Sequence, residues 1–148
     1  MTALPDVNVL VALAWPNHIH HQPAREWFLR EGLRNWATCP LTQAGFVRVS
    51  SNPRVLSEAR SPAEAMALLG LMLERGNHAF WSDEVHLLES PWVRRDRIFG
   101  HRQVTDAHLL AIAVSHGGRL ATFDTALVEL VPTGMDPAHV LILLPYNR

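Results

Sequence analysis

The chain contains no lysine, so arginine supplies all 13 of its basic Lys or Arg positions. It has one cysteine, Cys39, which excludes an intrachain disulfide and a cysteine-rich zinc site. No apolar run reaches the roughly 18 residues needed to span a bilayer, and the first residues lack the basic region of a signal peptide. These absences predict a soluble protein without membrane contact, in a reducing compartment such as the cytoplasm.

Hydrophobic residues make up 48% of the 148-residue chain and charged residues 18%, as in ordinary globular proteins. The length fits a single domain over residues 1–148. The net charge of −1 gives the whole molecule no general attraction for nucleic acid. Any binding of a polyanion must therefore depend on local groups of arginines.

Short apolar runs alternate with longer segments of helical periodicity, which predicts an α/β fold with a central, mainly parallel sheet of about five strands. The predicted strands are 4–10, 36–40, 78–82, 119–123 and 139–144. The predicted helices are 11–15, 21–34, 41–51, 62–75 and 103–116. Helix 62–75 is apolar nearly all round, so we expect it either at the centre of the protein or in a contact between subunits.

The stretch LPDVNVLVALA, residues 4–14, places an aspartate inside an otherwise apolar predicted strand. Burial of an ionised carboxylate is costly unless another group compensates its charge. The apolar surroundings argue against a simple helix cap or a surface position for Asp6. We therefore expect Asp6 to serve the function of the protein.

Other polar residues follow predicted strands at the same edge of the sheet. Asp124 comes directly after strand 119–123, Asp106 lies in the first turn of helix 103–116, and Gln43 follows strand 36–40. If these junctions meet, three carboxylates repel one another unless a cation neutralises them, and Mg²⁺ or Mn²⁺ suits oxygen ligands. Each residue also has a structural interpretation, since Asp106 suits a helix dipole, Asp124 an N-cap and Gln43 an ordinary helix start.

Four stretches resemble a PIN domain in their order along the chain, and are most similar to the VapC-type toxins of bacterial toxin–antitoxin pairs. They are LPDVNVLVALA, LTQAGFVRVSSNP at 41–53, VTDAHLLAIA at 104–113 and LATFD at 120–124. The resemblance implies a three-layer α/β/α domain. It also implies a Mg²⁺- or Mn²⁺-dependent endoribonuclease that hydrolyses RNA with a metal-activated water.

The resemblance assigns site residues position by position. Asp6, Asp106 and Asp124 match the first, third and fourth acids of the family, while Gln43 stands where the second acid is usual. Asn8, Thr42 and Thr105 match supporting polar positions, and Arg48 matches a basic residue that could hold a phosphate. An amide at position 43 carries no charge, so this departure predicts weaker metal binding.

The densest basic stretch precedes the predicted helix that carries Asp106. Its arginines are Arg94, Arg95, Arg97 and Arg102, and they could contact either an RNA backbone or a partner protein. The resemblance implies two partners, a second copy of the chain and a small VapB-type antitoxin whose C-terminal tail covers the acidic site.

Three functions remain open from the sequence. The first is a toxin ribonuclease, and the second is a PIN domain weakened by Gln43 that binds RNA or a protein without cutting. The third is another phosphotransfer fold with a strand-end aspartate, such as a haloacid-dehalogenase-like phosphatase or a response-regulator receiver. The third ranks lowest because such proteins need a lysine, or more rarely an arginine, at a later strand end, and this chain has no lysine.

Overall fold

The computed structural model describes residues 1–145. Its strands are β1 (Ala3–Pro5), β2 (Trp36–Thr38), β3 (His78–Phe80), β4 (Arg119–Thr122) and β5 (Leu141–Leu143). Its α-helices are α1 (Val7–Ala14), α2 (His21–Arg30), α3 (Pro40–Ser50), α4 (Pro62–Leu73), α5 (His101–Ser115) and α6 (Pro137–Val140). Within the described part of the chain, no helix has both the length and the apolar character needed to cross a membrane.

The five strands form one sheet in the order β3-β2-β1-β4-β5, and every neighbouring pair is parallel. The predicted parallel α/β sheet of about five strands is confirmed. Strand β1 lies at its centre, with Leu4 opposite Leu120 of β4. The chain builds one half of the sheet through β2 and β3, and then crosses back over β1 to build the other half.

Helices cover both faces because successive residues of each strand point to opposite sides. On one face, Ala3 and Trp36 pack in a core with residues of α1 to α4. On the other face, Leu4 and Ala37 pack with residues of α5 and α6. This arrangement confirms the predicted three-layer α/β/α architecture.

The predicted strand 4–10 is wrong beyond residue 5. Strand β1 ends at Pro5 and helix α1 begins at Val7, with Asp6 as its N-cap. The residues Val9, Leu10, Val11 and Ala12 are all buried, and the exposed Asn8 is the only polar residue of this helix. Periodicity cannot distinguish such an apolar helix from a buried strand, which is the physical reason for the error.

The last predicted strand, 139–144, is also shorter than expected. Its first residues belong to α6, where Asp136 caps the helix by accepting a hydrogen bond from the Ala138 N–H at 3.0 Å. Helix α4 does not lie at the centre of the protein, because only Ala65 and Leu69 among its residues are buried. Its Met66 and Leu71 side chains are exposed, so a contact between subunits stays a prediction for this helix.

Gly45 allows α3 to pack closely against α1. A Cβ atom at this position would come within 2.4 Å of Cγ2 of Val7, whereas a Cβ at Gly70 on α4 would meet no atom within 4 Å. We expect Gly45→Ala to lower the free energy of unfolding by about 1–3 kcal/mol through overpacking. The matched variant Gly70→Ala should raise it by up to about 1 kcal/mol. Urea denaturation of both variants tests this, and equal effects would contradict the tight contact.

Candidate active site

The carboxyl ends of β1 and β4 form the crevice where ligands bind in open parallel sheets. The chain runs from β1 to one side of the sheet and from β4 to the other, which makes the β1–β4 pair the topological switch point. Asp6 follows β1 and Asp124 follows β4. The fold therefore places two of the predicted acids next to this crevice.

Asp6 is buried, with 6% of its surface exposed. Its Oδ1 accepts a hydrogen bond from the Val9 N–H at 2.9 Å, and its carboxylate also accepts one from the Thr122 hydroxyl. The pKa of Asp6 is raised to about 6, chiefly by burial; the two hydrogen bonds act to lower it, and the charges of Asp106 and Asp124 act to raise it. The prediction that Asp6 is not a helix cap is wrong, because it caps α1. Its pKa is still raised, which shows that the hydrogen bonds of the cap do not fully compensate the negative charge of the buried carboxylate.

Asp106 lies on α5, whose amino end is at the same edge of the sheet. Strands β3 and β4 are parallel, so the connecting helix must run back from the carboxyl edge to the amino edge. The pKa of Asp106 is raised to about 6, first by burial and then by the nearby charge of Asp124. These mutual effects place all three predicted acids within electrostatic range of one another.

Thr122 links two of these acids and was not found by sequence reasoning. Its hydroxyl donates to the Asp6 carboxylate and accepts from the Asp124 N–H at 3.0 Å. Asp124 is itself an N-cap, since its Oδ1 accepts from the Ala126 N–H at 2.9 Å. A hydroxyl at the end of a strand, two residues before an acid, is the pattern that could have indicated Thr122.

The carboxylates suit a hard divalent cation by their chemistry. Among residues 1–145, no Arg or His side chain forms an ion pair with Asp6, Asp106 or Asp124, so their charge has no cationic partner. The same residues contain no group of three or more His, Cys, Asp or Glu side chains placed to hold a metal ion together. Mg²⁺ is typically bound in this open way, through one or two carboxylates with water and phosphate oxygens completing its shell. The residues therefore fit such an ion.

Gln43 is held by a neighbour on β2. Its Nε2 donates to the Thr38 hydroxyl at 3.0 Å, and that hydroxyl also contacts Nε2 of His78 at 2.8 Å. The Thr42 hydroxyl is buried and bonded to the backbone of Cys39, accepting from its N–H at 3.0 Å and donating to its carbonyl at 3.2 Å. Thr42 thus supports the start of α3, and contact of Gln43 with a metal or substrate stays a prediction.

Two of the supporting residues do not hold the acids. The side chains of Asn8 and Thr105 are exposed, and within the described residues neither forms a hydrogen bond with Asp6, Asp106 or Asp124. The Val9 N–H and the Thr122 hydroxyl hold Asp6 instead, and a supporting role for Asn8 and Thr105 stays a prediction. Arg48 is exposed and, with Gln43, lines a groove between α3 and α4, so a phosphate contact there stays a prediction.

Two of the four arginines in the basic segment have carboxylate partners, and the other two do not. Arg94 pairs with Asp96 at 2.9 Å and donates to the Val131 carbonyl at 3.5 Å, while Arg97 pairs with Glu129 at 3.6 Å. Arg95 and Arg102 are exposed and have no carboxylate partner within the described residues. Arg94 and Arg97 therefore fasten the segment beside the turn that follows Asp124.

Comparison with known sequences points to one family. A sequence profile described as "PIN domain" matches residues 3–131. Ribonuclease VapC39 of Mycobacterium tuberculosis is 49% identical over 135 residues, which cover 91% of this chain and 97% of the relative. Ribonuclease VapC38 of the same organism is 52% identical over 128 residues, covering 86% and 89%.

Solved structures share the fold at low sequence identity. The crystal structure of VapBC2 from Rickettsia felis bound to a promoter DNA fragment matches with a TM-score of 0.64 and 12% identity, covering 98% of this chain and 100% of that one. The structure of Mycobacterium tuberculosis VapC20, described as a sarcin-ricin loop cleaving toxin, matches with a TM-score of 0.62 and 13% identity, covering 97% and 99%.

Proposed function

The chain belongs to the PIN-domain family and is a VapC-type ribonuclease, and we propose that Asp6, Asp106 and Asp124 form its metal-dependent site for cleaving RNA. The observation that carries this proposal is the meeting of three mutually repelling carboxylates without a cationic partner at the switch point of the sheet. PIN-domain ribonucleases are metal-dependent in general. The competing proposal of a PIN domain that binds without cutting is not favoured, since the relatives named above are described as ribonucleases.

The metal we propose is Mg²⁺ or Mn²⁺, because the ligands are carboxylate oxygens. A bound divalent cation would lower the pKa of a coordinated water and neutralise charge on the scissile phosphate. The protein contributes fixed oxygens: Asp6 is held by Val9 and Thr122, and Asp124 is held at the turn that follows β4. The Thr122 hydroxyl contacts the Asp6 carboxylate and the backbone N–H of Asp124, so it links the two positions.

Chemistry at this site needs no protein nucleophile. Cys39 is buried and its Sγ faces the Thr42 hydroxyl at 3.7 Å, inside the turn that starts α3. The substrate we propose is RNA, which Arg48, Arg95 and Arg102 would contact through its phosphates. Arg94 and Arg97 are already paired with acids, so we assign them to holding the basic segment in place.

The partner we propose is a small VapB-type antitoxin. A groove of about 690 Å³ runs between α3 and α4, where Val47 and Leu69 provide an apolar lining and Gln43 and Arg48 lie at the same surface. A peptide with apolar side chains and a polar end could bind along this groove toward the acidic site. Such binding would block access of RNA to the carboxylates.

We also propose a homodimer and a cytoplasmic location. Met66 and Leu71 on α4 are exposed apolar side chains that a second copy of the chain could cover. RNA and an antitoxin would both be available in the cytoplasm. We further propose that the chain acts as one domain, since its single sheet includes strands from Ala3 to Leu143.

The experiment that tests the proposed function compares RNA cleavage by the wild-type protein and by Asp6→Asn with Mg²⁺ or Mn²⁺ present. We expect cleavage by the wild-type protein that stops when the metal is chelated, and no cleavage by the variant. Equal degradation of a panel of RNAs by both proteins would show that the activity does not come from this site.

Gln43 provides a separate test of the metal site. We expect Gln43→Glu to tighten Mn²⁺ binding by about fivefold to tenfold, because a further negative charge near the cation adds Coulomb attraction. Calorimetry measures the dissociation constant. The control is Gln43→Leu, which also removes the hydrogen bond to Thr38 but adds no charge, and should leave Mn²⁺ affinity unchanged. No difference between the two variants would place position 43 away from the metal.

A further inference from the structure

Phe99 is the most exposed of the large apolar side chains in the described part of the chain, with 83% of its surface accessible. It lies two residues before α5, and the amino end of this helix is at the same edge of the sheet as the acids. A single exposed apolar side chain is ordinary on a protein surface, so a role for Phe99 must be argued from its place beside the acids and from the charges around it.

Hydrogen bonds hold the backbone at Phe99 in place, so the ring is exposed on a fixed turn. Oε1 of Gln103 accepts hydrogen bonds from the N–H groups of Phe99 at 2.7 Å and of Gly100 at 3.0 Å. Nε2 of Gln103 donates to the Arg97 carbonyl at 3.3 Å. One glutamine on α5 therefore holds the turn on both sides of Phe99.

The same turn is joined to the other side of the site. Arg97 reaches Glu129 at 3.6 Å, and Arg94 reaches the Val131 carbonyl at 3.5 Å, so the segment 94–97 lies against the residues that follow Asp124. The turn at Phe99 is therefore held by Gln103 of α5, and the segment just before it is held by residues that follow Asp124.

The charges around the ring favour a polyanion. Arg95 and Arg102 are exposed and have no carboxylate partner within residues 1–145. Arg102 precedes Asp106 by four residues, so the two lie on the same face of α5, about 6 Å apart along its axis. A phosphate held by Arg102 would therefore lie near the acids.

We propose that Phe99 is a base-stacking platform, where one unpaired base of the RNA substrate stacks on its ring while Arg95 and Arg102 hold the flanking phosphates. The inference rests on the proposed ribonuclease function and adds to it the side chains that hold a base and its flanking phosphates beside the acids. Stacking on an aromatic ring accepts any base, whereas a paired base cannot reach the ring. An RNA loop or end therefore fits this surface better than a continuous duplex.

The test measures RNA binding in an Asp6→Asn background, where the RNA is not cut. The probes are a fluorescein-labelled single-stranded RNA of about twelve nucleotides and a strand of the same length without bases. We expect Phe99→Ala to weaken binding of the first strand about tenfold and to leave the abasic strand unchanged. Phe99→Trp should restore binding, and Arg102→Ala should weaken binding of both strands and make it less dependent on salt.

The matched control is Leu88→Ala. Leu88 is also an exposed apolar residue before α5, but its neighbour Glu89 lines a pocket with His116, at the carboxyl end of that helix. We expect this variant to bind both strands like the Asp6→Asn protein. If Phe99→Ala binds both strands normally, or loses both equally, the stacking proposal is wrong. Normal RNA binding combined with a loss of binding to a purified antitoxin would assign the ring to a protein interface and also overturn it.

Cleavage kinetics separate this inference from the proposed function. In protein with Asp6 intact, Phe99→Ala should raise KM for single-stranded RNA about tenfold and leave kcat within about twofold, as expected when only uniform binding is lost. Metal-dependent cleavage with an unchanged KM would contradict the role of Phe99 and support the proposed function. Absence of cleavage by the wild-type protein would contradict the proposed function, while the binding measurements still decide the role of Phe99.

Discussion

The variant Asp6→Asn is expected to lose RNA cleavage by about 1000-fold or more while becoming more stable at neutral pH. Activity falls because an amide in place of this carboxylate removes a charge from the group that would hold the cation. Asparagine keeps the cap, since its side-chain oxygen can still accept from the Val9 N–H. The loss therefore reports the missing charge and not a damaged helix α1.

The gain in stability follows from the raised pKa of Asp6. Its carboxyl has a pKa of about 6 in the folded protein against 3.8 for the reference group, so the folded state binds this proton more tightly than the unfolded state. Stability therefore falls as the pH rises from about 4 to about 6, and the full cost of ionising the buried Asp6 carboxyl is present above pH 6. Without metal, we expect Asp6→Asn to raise the free energy of unfolding by about 2–3 kcal/mol at pH 7.5. Near pH 4 and below, the difference should disappear.

Chemical denaturation at pH 7.5 and pH 4, together with a cleavage assay, measures both effects. The matched control is Asp136→Asn, which changes an exposed N-cap aspartate of α6 in the same way. Helix α6 leads into β5, so this residue lies toward the amino edge of the sheet, away from the acids. Normal cleavage and unchanged stability are expected of the control. A loss of stability in Asp6→Asn at pH 7.5 would show that the ionised form is favoured in the fold.

Much of the fold could be predicted because its strands and amphipathic helices carry distinct apolar patterns. Helix α5, with its stop at Gly117, is one example. The apolar pattern could not identify α1, because VNVLVALA is buried on nearly all sides and its sequence suits a buried strand equally well. Asp6 could have indicated this helix, because an aspartate directly before an apolar run is also typical of a helix N-cap.

The sequence could predict which acids lie at the same edge of the sheet, but not the hydrogen bonds that hold them. The rule that strand ends share one edge of a parallel sheet was enough to bring Asp6, Asp106 and Asp124 together. Side-chain hydrogen bonds depend on register between strands distant in sequence, which the sequence does not display. Thr122 next to Asp6 arises from the pairing of β1 with β4, and the ion pair of Arg97 with Glu129 arises from the folding of a long loop.

Metal affinity is expected to depend steeply on pH. Asp6 and Asp106 both have pKa values of about 6, and a cation must compete with protons for these carboxylates. If both must ionise, Mn²⁺ binding should weaken by about 100-fold between pH 7.5 and pH 5. Because the two groups interact, the fitted pKa values will describe the group of acids as a whole. Calorimetry across this pH range measures the dissociation constant, and buffers of different ionisation heat report the released protons.

Thr122→Val tells whether the pH dependence comes from Asp6. The Thr122 hydroxyl lowers the pKa of Asp6, so its removal should raise that pKa and move the pH midpoint of Mn²⁺ binding upward. Valine nearly preserves the shape of the buried side chain, and circular dichroism checks that the variant folds. Thr105→Val is the matched control, since Thr105 is exposed and forms no hydrogen bond with the acids in the described residues. A midpoint that stays the same in Thr122→Val, or metal binding that does not change with pH, would place the cation away from Asp6.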